Sequence, residues 1–235
     1  RDIKDAILQE ELAEIEKNKN RAFSIGRNTD IDSAEILKEK IVKLPQDKGP
    51  IIIAGGSFNS KGRETVITER GKELLKELIE KLDSEKAYFV IGHKMQGYER
   101  AIIDISKEVN KKFEIDAIIP KKVTKELAEM LVKNDLNGVC ISTESEELGI
   151  YKSFNYEIFE RRPSVVLAFD GNSPVSNLVQ EAKNGKGKAR IYINDSVDAL
   201  KEKAKSLDGY VTKFSEKNEE IINQFENDNP DIIIA

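Results

Sequence analysis

Apolar positions follow two different spacings along this chain, and the change comes near residue 50. Before it the spacing is helical. Ile3, Ala6, Ile7, Leu12 and Ile15 fall roughly on one face among Glu and Lys, which predicts an amphipathic helix over 2–20. Asp30-Ile31-Asp32-Ser33 offers capping residues for a second helix over 34–44, which Pro45 ends. Residues 46–50, Gln-Asp-Lys-Gly-Pro, read as a linker.

Beyond it, short apolar runs alternate with longer amphipathic ones. Strands are predicted over 51–54, 87–91, 115–119, 138–141, 165–169 and 190–193, and helices over 64–82, 98–109, 123–133, 146–160, 176–183 and 197–205. Such alternation implies right-handed βαβ crossovers and a parallel sheet. The expected fold is α/β: a Rossmann-like parallel sheet of about six strands flanked by helices, with an N-terminal helical arm. The expected organisation is an arm or linker over 1–49, the Rossmann-like domain over 50–207, and a C-terminal helix and tail over 208–235. In the tail, 216–226 reads as a helix, and Ile232-Ile233-Ile234 as an edge strand or as the start of a further segment. Opening on Arg1 rather than Met, the chain is expected to be part of a longer one.

Composition narrows the function classes. A net charge of −5 repels a long polyanion on average, so nucleic acid is not expected as a partner. A small anion stays open, because a local pocket can be positive within an acidic molecule. The single cysteine, Cys140, excludes an internal disulfide and a cysteine-based zinc site, and fits a reducing, cytoplasmic setting. No apolar run approaches the ~20 residues that cross a bilayer, so no membrane partner is expected. No metal site is expected either, since no His/Asp/Glu cluster has ligand spacing.

In open parallel sheets, ligands bind beyond the carboxyl ends of the strands. Three such ends carry polar turns here. The first is Gly55-Gly56-Ser57-Phe58-Asn59-Ser60-Lys61-Gly62, where glycines let a ligand approach the backbone and a helix start favours an anion. It lacks the Gly-Lys-Ser/Thr ending of a Walker A loop. A plain strand-to-helix turn is the alternative. The second runs from Gly92 through His93, Lys94 and Gly97 to Arg100, and holds the only histidine. His93 and Lys94 are candidate phosphate contacts, and a purely structural histidine is the alternative. The third is Asp170-Gly171-Asn172-Ser173-Pro174-Val175-Ser176-Asn177. Pro174 suits the first helical turn with Ser173 as cap, leaving Asn172, Ser176 and Asn177 to face a ligand; an ordinary capped helix is the alternative. Arg161 and Arg162, just before the fifth predicted strand, form a dense positive spot. Arg161 is the candidate to fork onto a phosphate, and a solvated helix end is the competing reading.

Gly55-Gly56 after the first strand, Gly92 to Gly97 after the second, and Asp170-Gly171-Asn172-Ser173 after a late strand together resemble the SLOG superfamily over about residues 50–195. That group includes the cytokinin-activating LOG enzymes, DprA-type proteins and sensor domains of antiphage systems. The resemblance implies a Rossmann-like fold that binds a nucleotide or a cyclic ADP-ribose-type NAD derivative, in a sensor attached to an effector domain or assembled as a homo-oligomer. The enzymes carry Pro-Gly-Gly-x-Gly-Thr-x-x-Glu in the matching loop. Here one glycine survives and Asn177 stands where the acid is expected, with Glu181 one helical turn later. A receptor without a bound cofactor therefore fits better than a hydrolase. The segment from Ser164 to Glu181 is also similar to part of a TIR domain, which would give weight to Ser173, Ser176 and Glu181. In a hydrolase reading, Glu181 is the candidate catalytic carboxylate for N-glycoside cleavage of a nucleotide or NAD, with Glu99 and Glu157 behind it.

Overall fold

A computed structural model of the chain describes residues 44, 48–55, 65–92, 94–119, 125–140 and 158–234. The two arm helices predicted over 2–20 and 34–44 fall outside them, except for Leu44. So do Gly56, Ser57, the rest of the loop to residue 64, His93, Glu157 and most of the helix predicted over 146–160.

Unbroken apolar runs such as Ile51-Ile52-Ile53 suit strands that are covered on both faces. Seven strands form one sheet: β1 (Gly49–Ala54), β2 (Ala87–Gly92), β3 (Glu114–Ile119), β4 (Asn137–Cys140), β5 (Val165–Ala168), β6 (Arg190–Ile193) and β7 (Val211–Lys213). Their order across the sheet is β4-β3-β2-β1-β5-β6-β7, and every pairing is parallel. The helices are α1 (Glu69–Lys81), α2 (Gly97–Glu108), α3 (Lys125–Lys133), α4 (Ser173–Asn184), α5 (Asp198–Ser206) and α6 (Asn218–Asp228). The α/β architecture read from the alternation is thus the one observed. One strand, β7, lies beyond the six expected.

The sheet grows outward from β1 in both directions. Right-handed crossovers in opposite directions must put their helices on opposite faces. The packing agrees. Ile51, Ile53, Phe89 and Leu167 meet Leu74 and Leu78 of α1, Ile102 of α2, and Ile221 and Phe225 of α6. On the other face, Ile52, Val90, Val166 and Ala168 meet Val179 of α4 and Leu200 of α5. Leu44 joins this second cluster.

The segment from 208 onward, expected as a separate tail, belongs to the same sheet and core. β7 pairs with β6, and α6 buries Ile221 and Phe225 completely against the first face. The Ile232-Ile233-Ile234 run is not an edge strand of the sheet. Pro230 starts a 3-10 turn through Ile232, and Ile233 makes one isolated antiparallel bridge to Leu82. Ile232 closes over Gly49 instead, where a β-carbon would come within 2.7 Å of its side chain. Among the described residues, no helix is long and apolar enough to cross a membrane.

Candidate functional site at the carboxyl edge

Strand order reverses at β1, which has β2 on one side and β5 on the other. Chain leaving β1 and chain leaving β5 turn to opposite faces, and such a point opens a crevice at the carboxyl edge. Described parts of all three polar turns meet there. The Phe169 amide donates to the Ala54 carbonyl at 2.9 Å, and the Tyr98 amide donates to the Gly55 carbonyl at 3.0 Å. Gly55 has φ of +133°, and a β-carbon on it would lie 3.1 Å from the Tyr98 ring and 3.3 Å from the Asp170 nitrogen. A side chain at 55 is therefore strained by torsion and tightly crowded as well. The rest of the first turn, with Gly56 and Ser57, lies outside the described residues.

The crevice has a closed floor on the α1/α2 face. The Tyr98 ring stacks on Phe169 with centroids 4.2 Å apart and planes 13° from parallel, and Phe214 meets Phe169 edge-on at 5.3 Å. Tyr98 also reaches α1: its hydroxyl accepts from the Thr68 amide at 3.2 Å. Gly71 makes room for it, since a β-carbon there would fall 2.3 Å from that hydroxyl. Thr68 itself caps α1, its Oγ1 accepting from the Gly71 amide at 3.0 Å. Side-chain alternation did not mark Tyr98 or Phe169 as anything beyond core.

The third turn is held from β6. Asn194 donates from its side chain to the Phe169 carbonyl at 2.9 Å, and its amide donates to the Ala168 carbonyl at 2.8 Å. Within the turn, Asp170 accepts from the Gly171 amide at 2.8 Å. Gly171 has φ of +146°, and a β-carbon would collide with Val175 at 2.1 Å. The cap of α4 is Asn172, not Ser173 as expected, because the helix begins one residue earlier with Pro174 already inside it. Asn172 makes no side-chain capping bond; its carbonyl instead takes the Val175 and Ser176 amides at 2.9 and 3.2 Å. Its side chain is thereby left for another partner. Ser173 and Asn177 are exposed and Ser176 half-buried, all in the first two turns of α4. That first turn carries no acidic residue, so the positive end of the helix is not neutralised there.

The second turn contributes differently from expectation. Gly92 ends β2, Lys94 is exposed, and Gly97 opens α2 with φ of +56°. Arg100 turns away from the edge: it donates to Asp104 at 3.1 Å and to Asn134 at 3.5 Å along the outer side of α2. In its place the structure brings Glu99, buried to 7% exposure. A β-carbon at Gly92 would lie 3.1 and 3.2 Å from the Glu99 carboxylate oxygens, so the glycine provides their space. Burial raises the Glu99 carboxyl to about 7, and the Gly92 amide, donating to it, only partly offsets that.

Two further candidates do not join the edge. Arg161 precedes β5 and so sits at the amino edge, across the sheet from the polar turns. Its neighbour Arg162, buried there, donates to the carbonyls of Leu44 and Lys48, both at 2.9 Å. Glu181 is in the third turn of α4, about 12 Å along the axis from Ser173 at 1.5 Å per residue. It lies beside the sheet and not at its carboxyl edge.

Two cavities among the described residues lie elsewhere. One, of about 70 Å³, is at the amino edge between Lys48, Arg162, Arg190, Asn229 and Asp231. The other, about 400 Å³, is an open groove along α2 lined by Lys107, Lys111 and Asn134. No three His, Cys, Asp or Glu side chains gather into a metal centre among the described residues.

No family model matches the chain, and no curated protein matches it. Among solved structures it is similar to two of the molybdenum cofactor carrier protein from Chlamydomonas reinhardtii. The identities are 15% and 14%, each over 77% of this chain and 98% and 97% of the other, with TM-scores of 0.48 and 0.47.

Proposed function

We propose that the carboxyl edge at β1 and β5 binds a small nucleotide-derived anion, and that the protein is a SLOG-type sensor for it. The observation that carries this reading is the meeting of Gly55, the Tyr98 amide and the Asp170-Gly171-Asn172 turn where strand order reverses. Two glycines there hold positive φ with crowded β-carbon positions, the first turn of the adjoining helix has no acidic residue, and the Asp170 carboxylate before it is engaged by the Gly171 amide. Together they leave backbone and short polar groups as the contact surface, which suits phosphate and ribose. NAD, ADP-ribose and cyclic ADP-ribose are the ligand class that the SLOG resemblance implies. Signalling to an attached effector or a second copy, as in antiphage systems, follows from the same resemblance.

Binding is favoured over glycoside hydrolysis because Glu181 stands about two helical turns from the edge. Calorimetry with ADP-ribose, NAD, cyclic ADP-ribose and mononucleotides tests the reading. At least one should bind. Gly171→Val should weaken it at least about tenfold by disturbing the turn, while Arg161→Ala, on the far edge, should leave affinity unchanged. Failure of every nucleotide to bind, or equal affinity in Gly171→Val, would overturn it. Release of free base that Glu181→Gln abolishes would establish the hydrolase instead.

A further inference from the structure

Side chains alternate along a strand. Tyr88 and Val90 point to the face covered by α4 and α5, so Gly92 presents its missing side chain to that face too. The Glu99 carboxylate fills this place. Yet α2 itself packs on the opposite face through Tyr98, Ala101 and Ile102. Glu99 therefore reaches over the carboxyl end of β2, from the face of the aromatic floor to the face of α4. Tyr98 and Phe169 stack on the opposite face of this edge.

One oxygen of this carboxylate is idle. Oε2 is buried and has no hydrogen-bond partner, while the Gly92 amide serves the group from below. Leaving such an acceptor unmet in the interior costs about 1–3 kcal/mol. The same stretch could have carried Leu or Ala in a helix of this kind without that penalty. Among the described residues, no lysine or arginine pairs with it. A donor from outside the described fold is what the oxygen lacks.

We propose that Glu99 accepts a hydrogen bond from a hydroxyl or amino group of the ligand, an inference that rests on the binding reading above. β2 stands two strands from β5, roughly 10 Å at ordinary strand spacing. A ligand with its anionic group at the start of α4 and a donor at Glu99 thus has the reach of a nucleoside monophosphate, and inorganic phosphate alone is too short. Glu99 selects among anions by what they carry at the far end. Ribose hydroxyls and the amino group of a base share this donor chemistry.

Calorimetry with AMP, 2′-deoxy-AMP, purine riboside 5′-monophosphate and inorganic phosphate separates them, on wild type, Glu99→Leu and Glu99→Gln. AMP should bind wild type, and Glu99→Leu should weaken it about tenfold while phosphate affinity stays unchanged. Removing the sugar hydroxyl or the base amino group from the ligand should weaken wild type by a similar factor, depending on which one meets Glu99. That loss should vanish in Glu99→Leu. Should the leucine variant not fold, Glu99→Gln carries the test, with a severalfold loss for AMP in a protein at least as stable as wild type. Equal AMP affinity in wild type and both variants would overturn the role of Glu99 and leave the binding reading standing. Failure of AMP to bind wild type while another nucleotide binds would overturn the role of Glu99 alone, and failure of every nucleotide would overturn both.

Discussion

At the scale of single residues, Glu99 has the most to say about conditions. Its carboxyl ionises at about 7 in the folded chain against an ordinary 4.5, with burial as the cause. Below the lower value it is protonated in both folded and unfolded chain. Above the higher it is charged in both, and only the folded chain must bury that charge. Its contribution to stability is therefore complete at acid pH and is lost as pH rises through about 7. The full swing is roughly 3 kcal/mol at 1.36 kcal/mol per unit. Urea unfolding at pH 5 and pH 8 should show wild type weakening relative to Glu99→Gln by an amount of this order; parallel behaviour of the two proteins would contradict the buried charge. The sequence alone lists Glu99 only as a lesser candidate for hydrolysis. A glutamate in a first helical turn ordinarily sits in water facing the helix dipole. What draws this one inside is the absent side chain of Gly92, and no periodicity connects the two. Gly171 entered the sequence reading only as part of a polar turn, and its positive φ emerges from the structure. The direction of Arg100 was not legible, since nothing in its spacing announces Asp104 and Asn134 as nearer partners.

At the scale of elements, boundaries follow local chemistry where it is strong. The helix predicted over 64–82 begins at Glu69 because Thr68 caps it. Its other end is closed from a distance. Lys111, after α2, donates to the carbonyls of Ile79, Glu80 and Leu82. An ammonium on the last carbonyls of a helix satisfies orphan acceptors and meets the negative end of the dipole. Lys111→Met keeps the stem and removes the donor. It should lower unfolding free energy by about 1 kcal/mol, read as a shifted urea midpoint; an unmoved midpoint would show that water serves those carbonyls equally well. Nothing in the local sequence marks Lys111, which lies about thirty residues from the helix it caps. β7 escaped for the opposite reason: Val211-Thr212-Lys213 offers three half-buried residues and one hydrophobic side chain, too short a run to show alternation.

At the scale of the molecule, the alternation of strands and helices made the parallel sheet legible, and the polar turns made its carboxyl edge the place to look. The strand order was not legible. Whether β5 would pair with β1 or continue outward from β4 depends on which helices find which face, and that is decided by packing over more than a hundred residues. The same holds for α6, whose Phe225 completes a core begun at Ile51. One ring spans much of this assembly. Tyr98 is bonded through its amide to Gly55, stacked on Phe169 and hydrogen-bonded to the first turn of α1. A guest that shifts the 169–171 turn cannot do so locally: the stack must slide, and the phenol must loosen or tighten its hold on Thr68. On the binding reading, occupancy of this rim would reach the start of α1 through that ring. Amide hydrogen exchange at Thr68 and Gly71 should change when ADP-ribose is added and should fall silent in Tyr98→Leu; a response surviving that substitution would mean the message travels by another road.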